Sequence, residues 1–178
     1  IYDGYQKFNP FIKDNLILSK NIKLDNRHLL INYADHEWAE NHFIEIQGMT
    51  SSYYDFVVWK RDTYNADTIK IDDEGFRHTT GSNSNDVHDV WMFGGSGLWG
   101  TGSKDEYTIP SYLSNLSGLK IRNYAMGGWV IRQELNQLIN EYAKMNKKEE
   151  EKERIIIFYD GANDGSAHCR SELGKDIS

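Results

Sequence analysis

The chain of 178 residues is long enough for one domain of ordinary size. Its formal net charge of -7 argues against nucleic acid or an anionic membrane surface as a partner, since both are negatively charged. No apolar run is long enough to span a membrane, and the single cysteine, Cys169, excludes an intrachain disulfide. The aromatic content of 13% argues against disorder, because buried rings offset the entropy lost on ordering.

Residues 1–85 are predicted to form a β-rich accessory region. Short runs of β-branched and aromatic residues, separated by Asn, Asp and Gly, favour strands there. The segment 72–75 is predicted to be a turn in which Gly75 adopts a positive φ. The small, polar segment 81–85 is the best candidate for a linker. The predicted strands are Leu16–Leu18, His28–Asn32, His42–Gln47, Tyr53–Trp59 and Thr68–Ile71.

Residues 86–178 are predicted to form an α/β domain. Thr108 and Pro110 are suited to the start of the first helix, and apolar residues at spacings of three and four predict the second. The last strand is apolar at every position, which is typical of a parallel strand covered on both faces. The predicted elements are the strands Val90–Phe93, Leu119–Ile121 and Ile155–Tyr159, and the helices 109–116 and 130–145. Their alternation predicts a parallel, doubly wound sheet with functional loops at the carboxyl ends of its strands.

The first of these loops contains a serine flanked by glycines. The sequence Phe93-Gly94-Gly95-Ser96-Gly97 follows an apolar strand directly, so a tight turn there would lift the Ser96 hydroxyl clear of the sheet. A glycine-rich turn with an incidental serine is the alternative. Phosphate binding is disfavoured, because the loop has neither Gly-Lys-Ser/Thr nor the glycine spacing of a dinucleotide site.

The second and third loops contain groups that could bind an oxyanion. Asn123–Trp129 contains two adjacent glycines, whose backbone N–H groups could point at a developing negative charge. Tyr159–Gly165 contains Asn163, whose side-chain amide is a donor of the same kind. A helix-entry turn and an Asx turn are the respective alternatives.

Together, the three loops resemble the sequence blocks of the SGNH, or GDSL-like, serine hydrolase family over residues 90–164. That family has Gly-Gly-Ser or Gly-Asp-Ser after its first strand, then Asn-x-x-x-x-Gly, then Gly-x-Asn-Asp. The matching residues are Gly94, Gly95 and Ser96, then Asn123 and Gly128, then Gly161, Asn163 and Asp164.

The resemblance implies a three-layer α/β/α sandwich with a parallel sheet. It implies that Ser96 is the nucleophile, and that Gly128 and Asn163 complete an oxyanion hole. Gly95, Gly161 and Asp164 would support the turns. The implied reaction is hydrolysis or transfer of an acyl ester through a Ser96 acyl-enzyme, without a metal ion or cofactor. The implied substrate is a small-molecule or carbohydrate ester, for example an acetylated cell-surface polysaccharide, which favours an extracytoplasmic or cell-envelope location.

The fourth family block, Asp-x-x-His, has no match after Asp164. The pair Asp25 and His28 has the right spacing but precedes Ser96, and His168 is a weak candidate for the general base. We therefore expect the α/β domain to be incomplete at its C-terminus. A missing C-terminal segment or a second piece would supply the base and close the sheet. On this view residues 1–178 alone are not a stable, active monomer.

A catalytically inactive SGNH-like carbohydrate-binding module is the rival interpretation. Aromatic faces stack on sugars, and the chain contains five tryptophans, although packing in the core is the common role of such side chains. These are Trp38, Trp59, Trp91, Trp99 and Trp129.

Overall fold

The computed structural model describes residues 25–81, 89–145 and 153–173 and has a mixed α/β fold. Short 3-10 turns lie at Asn26–Leu29, Ile31–Tyr33 and Asp105–Tyr107. The strands of these residues are β1 (Ser51–Tyr54), β2 (Val58–Arg61), β3 (Tyr64–Asn65), β4 (Lys70–Ile71), β5 (Asp89–Gly94), β6 (Lys120–Asn123) and β7 (Arg154–Tyr159). The helices are α1 (Ala39–Gly48), α2 (Ser96–Trp99), α3 (Ile109–Ser117), α4 (Ile131–Lys144) and α5 (Ala162–Leu173).

Strand β5 is the centre of a three-stranded parallel sheet. It pairs with β6 on one side and β7 on the other, so that Val90 lies opposite both Ile121 and Ile155. The parallel sheet predicted from the alternation of strands and helices is thereby confirmed. Because the strands are parallel, the loops that follow them lie at the same edge.

Both faces of this sheet carry a hydrophobic cluster. Val90 and Met92 of β5 point into one cluster, and Trp91 and Phe93 point into the other. The first cluster also contains Met49, Ile69, Ile71, Leu98, Trp99, Ile121 and Ala125. The second also contains Val57, Phe76, Tyr124, Met126 and Trp129. Residues 25–81 therefore contribute side chains to the core on both faces, and the predicted boundary at residue 85 stays a prediction.

Two predicted strands of the N-terminal half are wrong. Residues 28–32 lie in 3-10 turns, and residues 42–47 lie in helix α1. Helix α1 buries Ala39, His42 and Phe43, a spacing of three and four that matches one helical face. In α1 the burial of this face outweighs the strand-favouring composition, whereas the 3-10 turns over residues 28–32 bury no side chain.

The other predictions for this half are met in part. The single strand predicted over residues 53–59 is a hairpin, with β1 and β2 pairing across a turn at 55–57. The strand predicted over 68–71 is the short β4. The turn at 72–75 is confirmed: Gly75 has φ +87°, and its N–H donates to the Asp72 carbonyl at 3.1 Å. The predicted strand Leu16–Leu18 and linker residues 82–85 lie outside the described residues.

Strand β7 and helix α4 expose apolar side chains. The prediction that β7 is covered on both faces is wrong for the described structure, because Ile155 is 50% exposed and Tyr159 is 55% exposed. On α4, Ile139 is exposed while Glu134 and Gln137 are fully buried. None of the helices in residues 25–81, 89–145 and 153–173 combines the length and apolarity needed to cross a bilayer.

Arg77 joins the N-terminal region to the parallel sheet. It forms antiparallel bridges to Ile71 and Asn123, so the backbone of this region extends the sheet beyond β6. Its buried guanidinium donates to Asp105 Oδ1 at 2.8 Å and to the Gly100 carbonyl at 2.5 Å. The guanidinium also donates to the carbonyls of Trp99, Ser103 and Thr68.

Candidate functional site

Ser96 begins a single-turn helix directly after the central strand. Gly95 precedes it in an extended conformation, and the Ser96 carbonyl accepts hydrogen bonds from the N–H groups of Gly100 at 3.0 Å and Thr101 at 3.2 Å. Ser96 is exposed to solvent at the carboxyl edge of the sheet. The local fold thus presents the predicted nucleophile where a substrate could reach it.

Close packing between the first and third loops explains the two glycines before Ser96. A Cβ atom at Gly95 would lie 2.6 Å from Asn163 Nδ2, and one at Gly94 would lie 2.4 Å from the Tyr159 carbonyl oxygen. Neither distance is compatible with a side chain unless the neighbour moves. Glycine therefore lets the Ser96 loop lie against the loop that carries Asn163.

The second loop continues the β5 ladder. The N–H groups of Tyr124 and Met126 donate to the carbonyls of Met92 at 2.8 Å and Gly94 at 3.0 Å. Gly128 follows with φ +84°, in the left-handed region that side chains other than glycine rarely adopt. These bonds fix the second loop beside the Gly94–Gly95 turn.

The third loop is bonded to the second through two side chains. Asn163 Nδ2 donates to the Trp129 carbonyl at 2.6 Å, and a side-chain amide carries a second N–H. Both oxygens of Asp164 accept from the Ile131 N–H at 3.2 Å, where a carboxylate at the start of helix α4 is favourable.

The structure therefore brings together the three loops that carry Ser96, Gly128 and Asn163. Each loop follows one of the adjacent parallel strands β5, β6 and β7, and hydrogen bonds or close packing join the loops to one another. Such an arrangement can bind a carbonyl group between a hydroxyl and a set of N–H donors. The roles of nucleophile and oxyanion donors stay predictions.

A buried carboxyl group lies behind this edge of the sheet. Glu134 of α4 is fully buried, and its burial together with the neighbouring carboxyls of Asp160 and Asp164 raises its pKa to about 8. Partial burial and Asp164 also raise the pKa of Asp160. At neutral pH Glu134 is therefore mostly protonated. In the described residues, no group of three or more His, Cys, Asp or Glu side chains could hold a metal ion.

The histidines that the structure describes have separate environments. His168, the weak candidate for a base, is exposed on α5. His28 lies in a 3-10 turn, where its Nδ1 contacts the Asp25 carbonyl at 3.2 Å, while the Asp25 carboxylate is paired with Arg27. His42 is buried against Thr68, and its burial lowers its pKa to about 4, which is typical of a histidine that packs in the core in its neutral form.

Three of the five tryptophans pack in the core, which removes their faces from any sugar. Trp91, Trp99 and Trp129 are at most 4% exposed, whereas Trp38 and Trp59 are half-buried. The alternative of core packing is thus confirmed for the three buried rings.

Sequence reasoning missed three residues that shape this edge. Trp129 connects the loops through its carbonyl and its indole, Trp59 contacts the Gly128 loop, and Glu134 lies under Asp160 and Asp164. The position of Trp129 directly after Gly128 was the one local signal. Trp59 lies 68 residues before its bonding partner Gly127, so no local pattern could have assigned it.

No family model matches this sequence, and a search of curated proteins finds no significant similarity.

Proposed function

We propose that the chain is an SGNH-like serine hydrolase domain that acts on acyl esters through Ser96. The observation that carries this proposal is the junction of three loops at one sheet edge, with Gly95 packed against Asn163 and Asn163 bonded to the Trp129 carbonyl. Hydrophobic clusters on both faces of the sheet, one with α2 and α3 and the other with α4, support a three-layer sandwich.

In the proposed reaction, Ser96 Oγ attacks the ester carbonyl carbon and its proton passes to a general base. The N–H groups of Ser96 and Gly128 and the Asn163 amide stabilise the oxyanion that forms. Collapse of this intermediate breaks the bond to the leaving alkoxide, which takes up the proton, and leaves an acyl-enzyme. Water, or the hydroxyl of an acceptor, then attacks the acyl group and frees Ser96. His168 is the first histidine to test as the base.

The proposed substrate class is the one that the family resemblance implies. A small-molecule or carbohydrate ester suits a serine that is exposed at the open edge of the sheet. The net charge of -7 favours a neutral ester over an anionic one. The site is proposed to need neither a metal ion nor a cofactor.

The test is labelling with a fluorophosphonate probe, which reacts with activated serines. In the full-length protein we expect the wild type and Ser166→Ala to be labelled and Ser96→Ala to remain unlabelled, Ser166 being an exposed serine near the third loop. Asn163→Ala should slow the labelling about 100-fold, the usual cost of removing one oxyanion donor. Labelling that survives in Ser96→Ala would refute the proposal, and carbohydrate binding without any labelling would favour the binding module.

A further inference from the structure

We infer that the β1–β2 hairpin is part of this site and that Trp59 is a positioning residue for the Gly128 N–H. The inference rests on the proposed function for its catalytic meaning. Its structural basis is a set of contacts between the hairpin and the second loop that the SGNH resemblance does not include.

Trp59 bonds to both neighbours of Gly128, to the backbone of Gly127 and to the side chain of Trp129. Its indole Nε1–H donates to the Gly127 carbonyl at 3.3 Å, and its own carbonyl accepts from the indole Nε1–H of Trp129 at 3.0 Å. Its ring lies against Gly128, because a Cβ atom there would lie 3.3 Å from Trp59 Cζ2. The peptide unit that presents the Gly128 N–H is thus fixed by a side chain from the N-terminal region.

The same contacts extend to the other proposed donor. Trp129 bonds to Trp59 through its indole and to Asn163 through its carbonyl. Gly128 directly precedes Trp129 in the chain, and the Asn163 amide bonds to the Trp129 carbonyl. Both proposed donors are therefore positioned by one fully buried tryptophan, whose indole bonds to Trp59. Donors held in this way are preorganised for a developing oxyanion.

The backbone of the hairpin is strained, and helix α4 holds it in that form. Phe56 and Val58 have φ of +66° and +75°, values that are unfavourable for a bulky or β-branched residue. The Val57 and Trp59 N–H groups donate to carbonyls two residues earlier, which is the pattern of two successive strained γ-turns.

Two side-chain amides of α4 hold this turn in its strained conformation. Gln133 Nε2 donates to the Val57 carbonyl at 2.9 Å, and Asn136 Nδ2 donates to the Phe56 carbonyl at 2.7 Å. Strain of this kind persists only where the surroundings enforce it, and it is common at functional sites. Helix α4, which begins shortly after Gly128, therefore also fixes the position of Trp59 against the Gly128 loop.

The experiment compares Trp59→Phe with Trp38→Phe. Phenylalanine at 59 removes the N–H bond to Gly127 and the ring contact with Gly128, but leaves the carbonyl that Trp129 uses. Trp38 is a matched control, because it is half-buried in the same region and its indole N–H has no hydrogen-bond partner in the described part of the chain. The readouts are p-nitrophenyl acetate turnover, the rate of fluorophosphonate labelling, and amide hydrogen exchange at Gly128.

We expect Trp59→Phe to lower kcat by about 10-fold to 100-fold with little change in KM, as for small displacements of positioning groups. Labelling should slow in parallel and exchange at Gly128 should accelerate, while Trp38→Phe leaves all three readouts at wild-type values. Equal kcat and equal exchange in wild type and Trp59→Phe would overturn the inference. A wild-type protein that neither labels nor turns over ester would instead overturn the proposed function, and exchange at Gly128 would still decide whether Trp59 holds the loop.

Discussion

Glu134 is a buried acid whose protonation stabilises the fold. The Glu134 carboxyl is fully buried next to Asp160 and Asp164, and its pKa is raised from 4.5 to about 8. A group whose pKa is higher in the folded state binds its proton more tightly there, so its contribution is complete below pH 4.5. That contribution is lost as the pH rises through about 8.

We therefore predict that the free energy of unfolding falls between pH 5 and pH 8, and that Glu134→Gln removes much of this fall. Glutamine keeps the shape of the protonated acid but cannot ionise. The difference should be on the order of a few kcal/mol at pH 8, measured by urea unfolding at several pH values. Leu138→Met, a neutral substitution in the same helix, should keep the wild-type slope. A pH profile that is identical in wild type and Glu134→Gln would contradict this account.

At the scale of elements, the turn after β6 allows function to be separated from stability. Gly128 and Gly118 both have positive φ, +84° and +72°, so alanine at either position incurs a similar backbone cost. A Cβ atom at Gly118 would lie in open space at the end of α3, whereas one at Gly128 would meet the Trp59 ring.

We predict that Gly128→Ala and Gly118→Ala each lower stability by about 1 kcal/mol, since both force alanine into the left-handed region. Only Gly128→Ala should slow the labelling of Ser96, because it also displaces the proposed oxyanion donor. Thermal unfolding and fluorophosphonate labelling of the two variants would show this. Equal labelling of both would mean that Gly128 has a structural role alone.

Elements with strong local signals could be predicted from the sequence, and those built by distant contacts could not. Thr108 caps α3 as predicted, accepting from the Ser111 N–H at 3.3 Å, and the strands β5, β6 and β7 follow from short apolar runs between turns. The composition of residues 42–47 predicts a strand where helix α1 lies, although the spacing of His42 and Phe43 from Ala39 is helical.

The candidate site likewise contains features that local sequence predicts and features that depend on distant contacts. The glycine and asparagine loops could be identified because each follows a predicted strand directly. The polar side of α4 could not be predicted to lie inward, because a buried glutamine or glutamate is favourable only with particular partners. Gln133 finds such a partner in the Val57 carbonyl, 76 residues earlier in the chain.

At the scale of the whole molecule, Arg77 joins the N-terminal region to the sheet. The guanidinium is buried against Asp105 and donates hydrogen bonds to five acceptors in two stretches of the chain. Removing one partner of a buried pair leaves the other charged and without compensation.

We predict that Arg77→Met lowers the free energy of unfolding by about 3–5 kcal/mol. Arg132→Met, at an exposed position of helix α4, should cost less than about 1 kcal/mol. In the full-length protein, residues 25–81 and the sheet should unfold in one cooperative transition by both fluorescence and circular dichroism, because they share both hydrophobic clusters. Two separate transitions, with Arg77→Met affecting neither, would show that the regions are independent.

The order of the parallel sheet also determines when the site can assemble during folding. In β5, Asp89 pairs with Lys120 on one side and with Arg154, 65 residues further along the chain, on the other. Closing such long loops costs entropy before any contact compensates for it, so sheets with distant pairings fold slowly. The turn before Ser96 gains its contact with Asn163 only when β7 joins β5. An early folding intermediate that contains β5 and β6 alone would therefore have the serine and the Gly128 turn, but not the third donor.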